Sequence, residues 1–307
     1  LEESIKAGEI GRMKIFITGA TGYIGGSVAD LLLKAGHEIH GLVRSSEKAE
    51  LIEKRGITPI IGTLEDGALL TSAARKADAV INAASSDHRG AAEGLVNALV
   101  GSNKPLLHTS GSSIVGDKAF GEFSPNFYHE DNRPTPEPEK VARVAIDQMI
   151  LDSAQRGVRS VVICPSLIYG VGRGLHTESV QLPPLINQAR KSGVARHIGR
   201  GLNVWSNVHI DDVATLYKLA LESSPAGGFY FAENGENSFR EIVGAISRKL
   251  RLGGKTESWS IDQAIAEWGY ELAVFALASN SRVRGLKSRD VLGWKPTGVT
   301  LLEEFAE

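Results

Sequence analysis

The 307-residue chain is short of several things, and each shortage closes a class of function. It has one cysteine, Cys164, so no disulfide can form within the chain, which fits a reducing compartment. Lysine and arginine number 34 against 36 aspartates and glutamates; a net charge of −2 offers no basic excess for nucleic acid or an anionic membrane surface. No apolar run approaches the roughly 18 residues that a membrane span requires. Linker-like segments, low complexity and internal repeats are missing as well. Residues 1–12 are polar and aperiodic, without the apolar segment of a signal peptide. Met13, directly before the first strand pattern, reads as the natural start, and the residues ahead of it as a leader left from expression. The expectation is a cytoplasmic protein long enough to bury a large core, as one large domain or two small ones, with no membrane contact and no nucleic-acid partner.

What is present begins with Lys14-Ile15-Phe16-Ile17-Thr18-Gly19-Ala20-Thr21-Gly22-Tyr23-Ile24-Gly25. Apolar and β-branched residues run into three glycines spaced G-x-x-G-x-x-G. Val28, Leu31, Leu32 and Ala35 follow at the spacing of one helix face, and Gly36 stands where a left-handed residue would end that helix. A strand, a glycine turn and a helix amino end make a phosphate site for a physical reason. The first helical turn has unpaired N–H groups at the positive end of a dipole, and glycines let a diphosphate reach the backbone. Three glycines alone would be a surface turn; between a buried strand and an amphipathic helix they predict dinucleotide binding.

Further strands are predicted at Glu38–Val43, Thr58–Gly62, Asp78–Ala84, Pro105–Thr109 and Ser160–Cys164. Helices are predicted between them at Glu47–Arg55, Glu65–Lys76, Gly90–Gly101 and Lys140–Gln155. This alternation predicts an α/β fold, a doubly wound parallel sheet of Rossmann type over residues 13–165. Gly116–Pro136, aperiodic and rich in Pro, Asn, Asp and Glu, reads as a long loop and a candidate lid. Past Pro165 the rhythm weakens. Helices at Leu185–Ser192, Asp211–Ser223, Phe239–Arg251, Ile261–Leu277 and Ser288–Leu292, with strands near Val204–Val208 and Phe229–Ala232, predict a smaller α+β cap over 166–307. That cap is interleaved with elements returning to the Rossmann domain and sits on the carboxyl edge of the sheet.

Nineteen residues beyond Gly25, where an acidic residue usually accepts from the adenosine ribose, stands Arg44, followed by Ser45 and Ser46 with Lys48 close by. A carboxylate repels a 2′-phosphate, whereas a guanidinium binds one bidentately, so NADP is expected over NAD.

These stretches resemble the short-chain dehydrogenase/reductase superfamily in its extended, epimerase-like form. Thr18–Gly25 is similar to its cofactor fingerprint, and Asn82-Ala83-Ala84 to the segment along the adenosine. Thr109-Ser110-Gly111-Ser112-Ser113 resembles the strand end that carries the catalytic Ser or Thr, and Pro165-Ser166-Leu167-Ile168-Tyr169-Gly170 the stretch that meets the nicotinamide. Val208–Ala214 and Leu292-Gly293-Trp294-Lys295-Pro296 resemble later signatures. The resemblance implies cofactor contacts from Gly19, Thr21, Gly22, Tyr23, Ile24, Gly25, Arg44, Ser45, Leu64, Ala83, Ala84, Pro165 and Ile168. Relatives often pair through the helices around Gly90–Gly101 and Lys140–Gln155, which makes a homodimer the candidate assembly.

Two departures stand out. Gly62-Thr63-Leu64 replaces the family's Gly-Asp-Leu, losing a side-chain contact to adenine while keeping Leu64. The Tyr-x-x-x-Lys pair, in which the cation lowers the phenol's pKa for proton exchange with substrate, is absent. Aligning Asp147-Gln148 with the family's Glu-Gln places Glu139 and Arg143 at the Tyr and Lys positions. The catalytic candidates are therefore Ser110, Ser112, Tyr169 and Arg143, the last as a fixed cation for ribose. Ser110 and Ser112 could polarise a carbonyl or merely cap a turn. Tyr128-His129 with Glu130-Asp131 could close over the site. His209 with Asp211 and Asp212 suits an N-cap carboxylate opening the next helix, and no metal site is expected. Trp205 and His176 are placed at the cap pocket, with His176 facing solvent, and Cys164 in the core. The sequence points first to an NADP-dependent oxidoreductase acting on a small carbonyl-like substrate. A non-catalytic NADP(H) sensor is the alternative, and a sugar-nucleotide epimerase or dehydratase the third.

Overall fold

The computed structural model describes residues 11–306, so the expected leader lies almost wholly outside the described residues. Seven strands form one parallel sheet: β1 (Lys14–Thr18), β2 (Glu38–Val43), β3 (Thr58–Ile61), β4 (Ala79–Asn82), β5 (Pro105–Thr109), β7 (Arg159–Pro165) and β11 (Gly228–Ala232). The spatial order is β3-β2-β1-β4-β5-β7-β11. β6 (Tyr128–His129) lies outside this sheet. Order reverses beside β1, which opens a crevice at the strands' carboxyl ends, where doubly wound sheets bind ligands.

Alternation along the strands decides which helix covers which face. Ile15 and Ile17 point to the side of α1 (Tyr23–Lys34), α2 (Ser46–Glu53) and α7 (Ile210–Ser223). Phe16 and Val80 point to the other side, under α3 (Gly67–Lys76), α4 (Arg89–Leu99) and α5 (Val141–Asp152). Cys164, fully buried at the end of β7, packs in that second core.

A third core holds the cap together. The cap comprises β8 (Leu167–Tyr169), α6 (Leu182–Ser192), β9 (Ala195–Ile198), β10 (Val204–His209), β12 (Glu236–Ser238), α8 (Phe239–Lys249), β13 (Thr256–Trp259), α9 (Ile261–Trp268) and α11 (Leu301–Glu304). β14 (Val283–Arg284) and α10 (Leu286–Asp290) lead the chain back to the sheet. Leu182, Phe239, Ile242, Ile246 and Leu301 are at most 5% exposed there.

Several expectations shift. α6 starts at Leu182, ahead of Leu185, because Pro183 and Pro184 fall in its first turn, where missing N–H groups cost nothing. β9 and β13 pair in parallel across about 60 residues and carry no alternating pattern. The helix expected over Ile261–Leu277 breaks: Gly269 adopts φ +78°, ends α9, and the chain resumes as a wide π-helical turn over Glu271–Leu277. Residues 116–136, expected as a lid, are tied down. β6 pairs with β14, Gly121 N–H donates to the Ala278 carbonyl, and Asn280 bonds the Asp117 carboxylate. The Glu130 carboxylate, buried, accepts from the N–H groups of Phe231 and Leu286 and so braces β11 instead of closing over a site.

Candidate functional site

β1 delivers the chain to Gly19 at φ +78°, where a Cβ would lie 2.6 Å from the Ala83 carbonyl oxygen. A Cβ on Gly25 would come 2.4 Å from the Gly19 oxygen. Both glycines therefore let α1 press against the turn and the turn against the end of β4. Gly22 opens α1 with no side-chain cap, so its first-turn N–H groups are available to an anion. The crevice so formed, of about 330 Å³, has Gly19, Thr21, Gly22, Ala83 and Ala84 along its floor. Leu42, Val43, Thr63 and Leu64 line its far end, with Arg44 and Lys48 at the rim. Among the described residues no acidic side chain pairs with Arg44 or Lys48, whereas Arg143 and Arg173 are held by Asp87 and Asp211. A dinucleotide fits this donor set: bare amides for a diphosphate, apolar walls for adenine, two cations at the ribose end.

The side chains of four other cofactor candidates, Tyr23, Ile24, Ser45 and Ile168, do not line this crevice. The Tyr23 hydroxyl donates to the Gly170 carbonyl at 2.7 Å, and burial pushes its pKa far up. Ile24 packs into the core below the sheet. The Ser45 hydroxyl caps α2, accepting from Lys48 N–H at 3.3 Å. Ile168 packs against that core and pairs with Val208. His176, expected at the cap pocket, instead lines this crevice, its backbone N–H bonded to the Thr21 carbonyl.

A second, larger cavity of about 610 Å³ opens at the carboxyl ends of β5 and β7. Gly111, Ser112, Ser113, Arg143, Pro165 and Ser166 form its sheet-side wall. The cap supplies Trp205, Trp268, Tyr270, Leu272 and Phe275 opposite. Arg143 reaches it from α5 and is already neutralised: Nη2 and Nε lie 2.6 and 2.8 Å from the Asp87 carboxylate, while Nη1 donates to Ser113 Oγ at 3.1 Å. That bonding holds the Asp87 carboxyl below its usual range. Ser112 accepts from Ser281 Oγ at 2.8 Å and fronts the cavity.

Two catalytic candidates are turned elsewhere. Ser110 donates to Asp147 Oδ2 at 2.6 Å, beneath the sheet end rather than in the cavity. Tyr169 is fully buried, its hydroxyl donating to the Val299 carbonyl at 2.6 Å, and it lines neither space. The N-cap expected from Asp211 or Asp212 is corrected too: His209 Nδ1 caps α7 by accepting from Asp211 N–H at 3.2 Å. The Asp212 carboxylate instead accepts from Thr297 and Gly298 N–H and anchors the C-terminal segment.

At the cavity's edge Glu139 Oε1 accepts from Lys118 Nζ at 2.8 Å and from Tyr270 Oη at 3.2 Å. The Lys118 bond holds the Glu139 carboxyl below its ordinary pKa. Asp87, Ser113, Lys118, Trp268, Tyr270 and Phe275 escaped the sequence reading. Only Ser113, inside the quoted Thr109–Ser113 run, had a local signal. Among the described residues no cluster of His, Cys, Asp and Glu could hold a metal, and no helix is long and apolar enough to cross a membrane.

Comparison with known proteins follows the same lines. The sequence model described as the NAD dependent epimerase/dehydratase family matches residues 15–230. The chain is 34% identical to an uncharacterized protein of Schizosaccharomyces pombe, over 96% of this chain and 98% of that protein. It is 34% identical to an oxidase of an Acremonium species, over 95% of each. It is 26% identical to the 4-hydroxy-2-methyl-3-oxo-4-farnesyl-3,4-dihydroquinoline-1-oxide ketoreductase of Stigmatella aurantiaca, over 73% of this chain and 69% of that enzyme. Among solved structures, a UDP-glucose 4-epimerase of Thermotoga maritima superposes with a TM-score of 0.76 at 17% identity, covering 95% and 96% of the two chains. That last likeness is one of fold.

Proposed function

The chain belongs to the NAD dependent epimerase/dehydratase family, and within it we propose an NADPH-dependent reductase of uncharged, largely apolar carbonyl compounds. The observation that carries this reading is the second cavity. Its cap wall is Trp268, Tyr270, Leu272 and Phe275, and its one guanidinium, Arg143, is spent on Asp87. A sugar diphosphate needs cations that are free to pair with it. An aryl or alkyl ketone needs apolar walls and one or two donors at its oxygen, which is what Ser112, Ser113 and the tyrosine offer. The farnesylated ring ketone in the name of the Stigmatella relative has the same character.

When bound, the reduced dinucleotide supplies hydride. The chain's own part is to hold and orient: α1 amides on the diphosphate, Arg44 and Lys48 on a 2′-phosphate, Leu64 and Val43 beside adenine. Pro165 and Ser166 border the cavity where the reacting carbonyl would lie, and Ser112 donates toward its oxygen. Purified protein should oxidise NADPH with acetophenone and 2-undecanone, read as loss of dihydronicotinamide absorbance, and should leave UDP-glucose unconverted, read by chromatography of the sugar nucleotide. Turnover with UDP-glucose alone would overturn the substrate class. Tight NADPH binding with no turnover on either ketone would replace the enzyme with a sensor, the reading that Glu139 in the family's tyrosine position favours.

A further inference from the structure

We propose that Tyr270 is the proton donor of the apolar cavity, a phenol delivered by the cap to the place where the resembled family carries one on the helix of the cofactor domain. The proposal rests on the reductase reading above. Six tyrosines are present, and four are bonded inward. Tyr23 and Tyr169 donate to the backbone carbonyls of Gly170 and Val299, Tyr217 bonds Thr109, and Tyr230 bonds Ser224. Tyr128 lies in β6, paired with β14. Tyr270 alone among them lines the cavity, and it is 49% exposed, so water can reach its hydroxyl.

Its placement is built rather than incidental. Gly269 ends α9 at φ +78°, and the chain continues as a π-helical turn, a geometry that is rare and concentrates at functional sites. Glu271, next in sequence, pairs with the buried Lys140 at the foot of α5, and the Tyr270 ring packs edge-on against Phe275 at 6.0 Å. These contacts pin the turn over the cavity. The hydroxyl is then held by Glu139 at 3.2 Å, and Glu139 is the residue that aligns with the family tyrosine. Arg143, aligned with the family lysine, lines the same cavity. The phenol has changed elements while keeping its neighbours. Lys118, 2.8 Å from the same carboxylate oxygen, balances the Glu139 charge, so a phenolate formed beside it meets a neutral pair.

Reduction of a carbonyl needs a hydride at carbon, supplied by the reduced dinucleotide, and a proton at oxygen. The Tyr270 O–H bond breaks as the new O–H bond of the alcohol forms, and the phenolate takes its proton back from water. Of the other polar groups of the wall, Ser166 donates to the Ala232 carbonyl, Gln181 to the Ala276 carbonyl, and Arg143 is paired with Asp87, while Ser112, which accepts from Ser281, is left to orient the carbonyl oxygen. Tyr270→Phe keeps the ring and removes the hydroxyl, and with it the proton and the bond to Glu139.

The test compares wild type, Tyr270→Phe and Glu139→Gln. Acetophenone binding is followed without cofactor by quenching of tryptophan emission, which Trp205 and Trp268 in the cavity wall report. NADPH binding and turnover follow. Tyr270→Phe should lower kcat about 100-fold, weaken acetophenone binding about threefold to tenfold, and leave the NADPH Kd unchanged. Glu139→Gln should keep the bound ketone and shift the pH profile of kcat. A Tyr270→Phe protein with wild-type kcat and ketone affinity overturns this inference while leaving the reductase intact. A wild type that binds NADPH yet reduces no ketone overturns the reductase reading, and that failure is read before any variant is made.

Discussion

The crevice proposed for the dinucleotide and the apolar cavity are both lined by residues at the carboxyl ends of sheet strands and are made in opposite ways. The crevice is a backbone object: Gly19, Gly22 and Gly25 fall within seven residues, and what they contribute is an absence of side chain. The cavity is a side-chain object gathered from β5, α5, β7 and the cap, with Ser112 and Tyr270 more than 150 residues apart. A site made of local backbone tolerates little change in its turn but accepts any diphosphate of the right size. One made of distant side chains can be rewritten residue by residue. This is how one fold carries a constant cofactor and variable substrates.

The sharpest way to break the comparison is to put a methyl group into the turn. Gly25→Ala places a Cβ 2.4 Å from the Gly19 oxygen, against backbone that cannot rotate away. The expected cost is about 3 kcal/mol of stability, with NADPH binding lost. Urea midpoints and a fluorescence titration check it, and a variant that still binds NADPH as wild type would show that the turn does not position the amides. The rim is the next test. Arg44→Asp should weaken NADPH on the order of 100-fold and spare NADH, since a charge-assisted bond to the 2′-phosphate is worth about 1.5–3 kcal/mol. Equal losses for the two cofactors would remove the 2′-phosphate from Arg44.

The same contrast explains what could be read from the chain. The order of strands and helices to Cys164 was legible because each buried strand and amphipathic helix carries its own period, and the crevice because its residues are neighbours in sequence. β9 and β13 were not legible: each is four residues long and makes sense only beside the other. The break at Gly269 hid inside an apolar pattern that continues on both sides of it. Ser110 and Tyr169 were read from position along a motif, but orientation is fixed by partners, Asp147 and Val299, that no local pattern announces. Tyr270 was invisible for the same reason, its partner Glu139 lying 131 residues away.

Between the two regions runs a buried polar seam. Thr18 Oγ1 donates to Asn82 Oδ1 at 2.6 Å, Asn82 Nδ2 meets His108 Nδ1 at 3.0 Å, and His108 Nε2 stands 3.7 Å from Asp147 Oδ1, whose other oxygen takes the Ser110 hydroxyl. Burial, reinforced by Arg143, lowers the His108 pKa to about 4, and burial raises the Asp147 pKa to about 7. Both favour the neutral form, yet they tilt stability in opposite directions with pH. His108 contributes stability that is present above its unfolded value near 6.5 and is lost as pH falls toward 4. Asp147 contributes stability that is present below its unfolded value near 3.8 and is lost as pH rises through 7. Between pH 5 and 7.5 the two slopes offset each other. Asp147→Asn keeps the shape and removes one of them, so the variant should lose about 2 kcal/mol on going from pH 7.5 to 5, where wild type changes little. Urea denaturation at the two pH values measures it. A variant as flat as wild type would mean that His108 takes up its proton in the folded protein as readily as in the unfolded chain, so that burial does not hold it neutral.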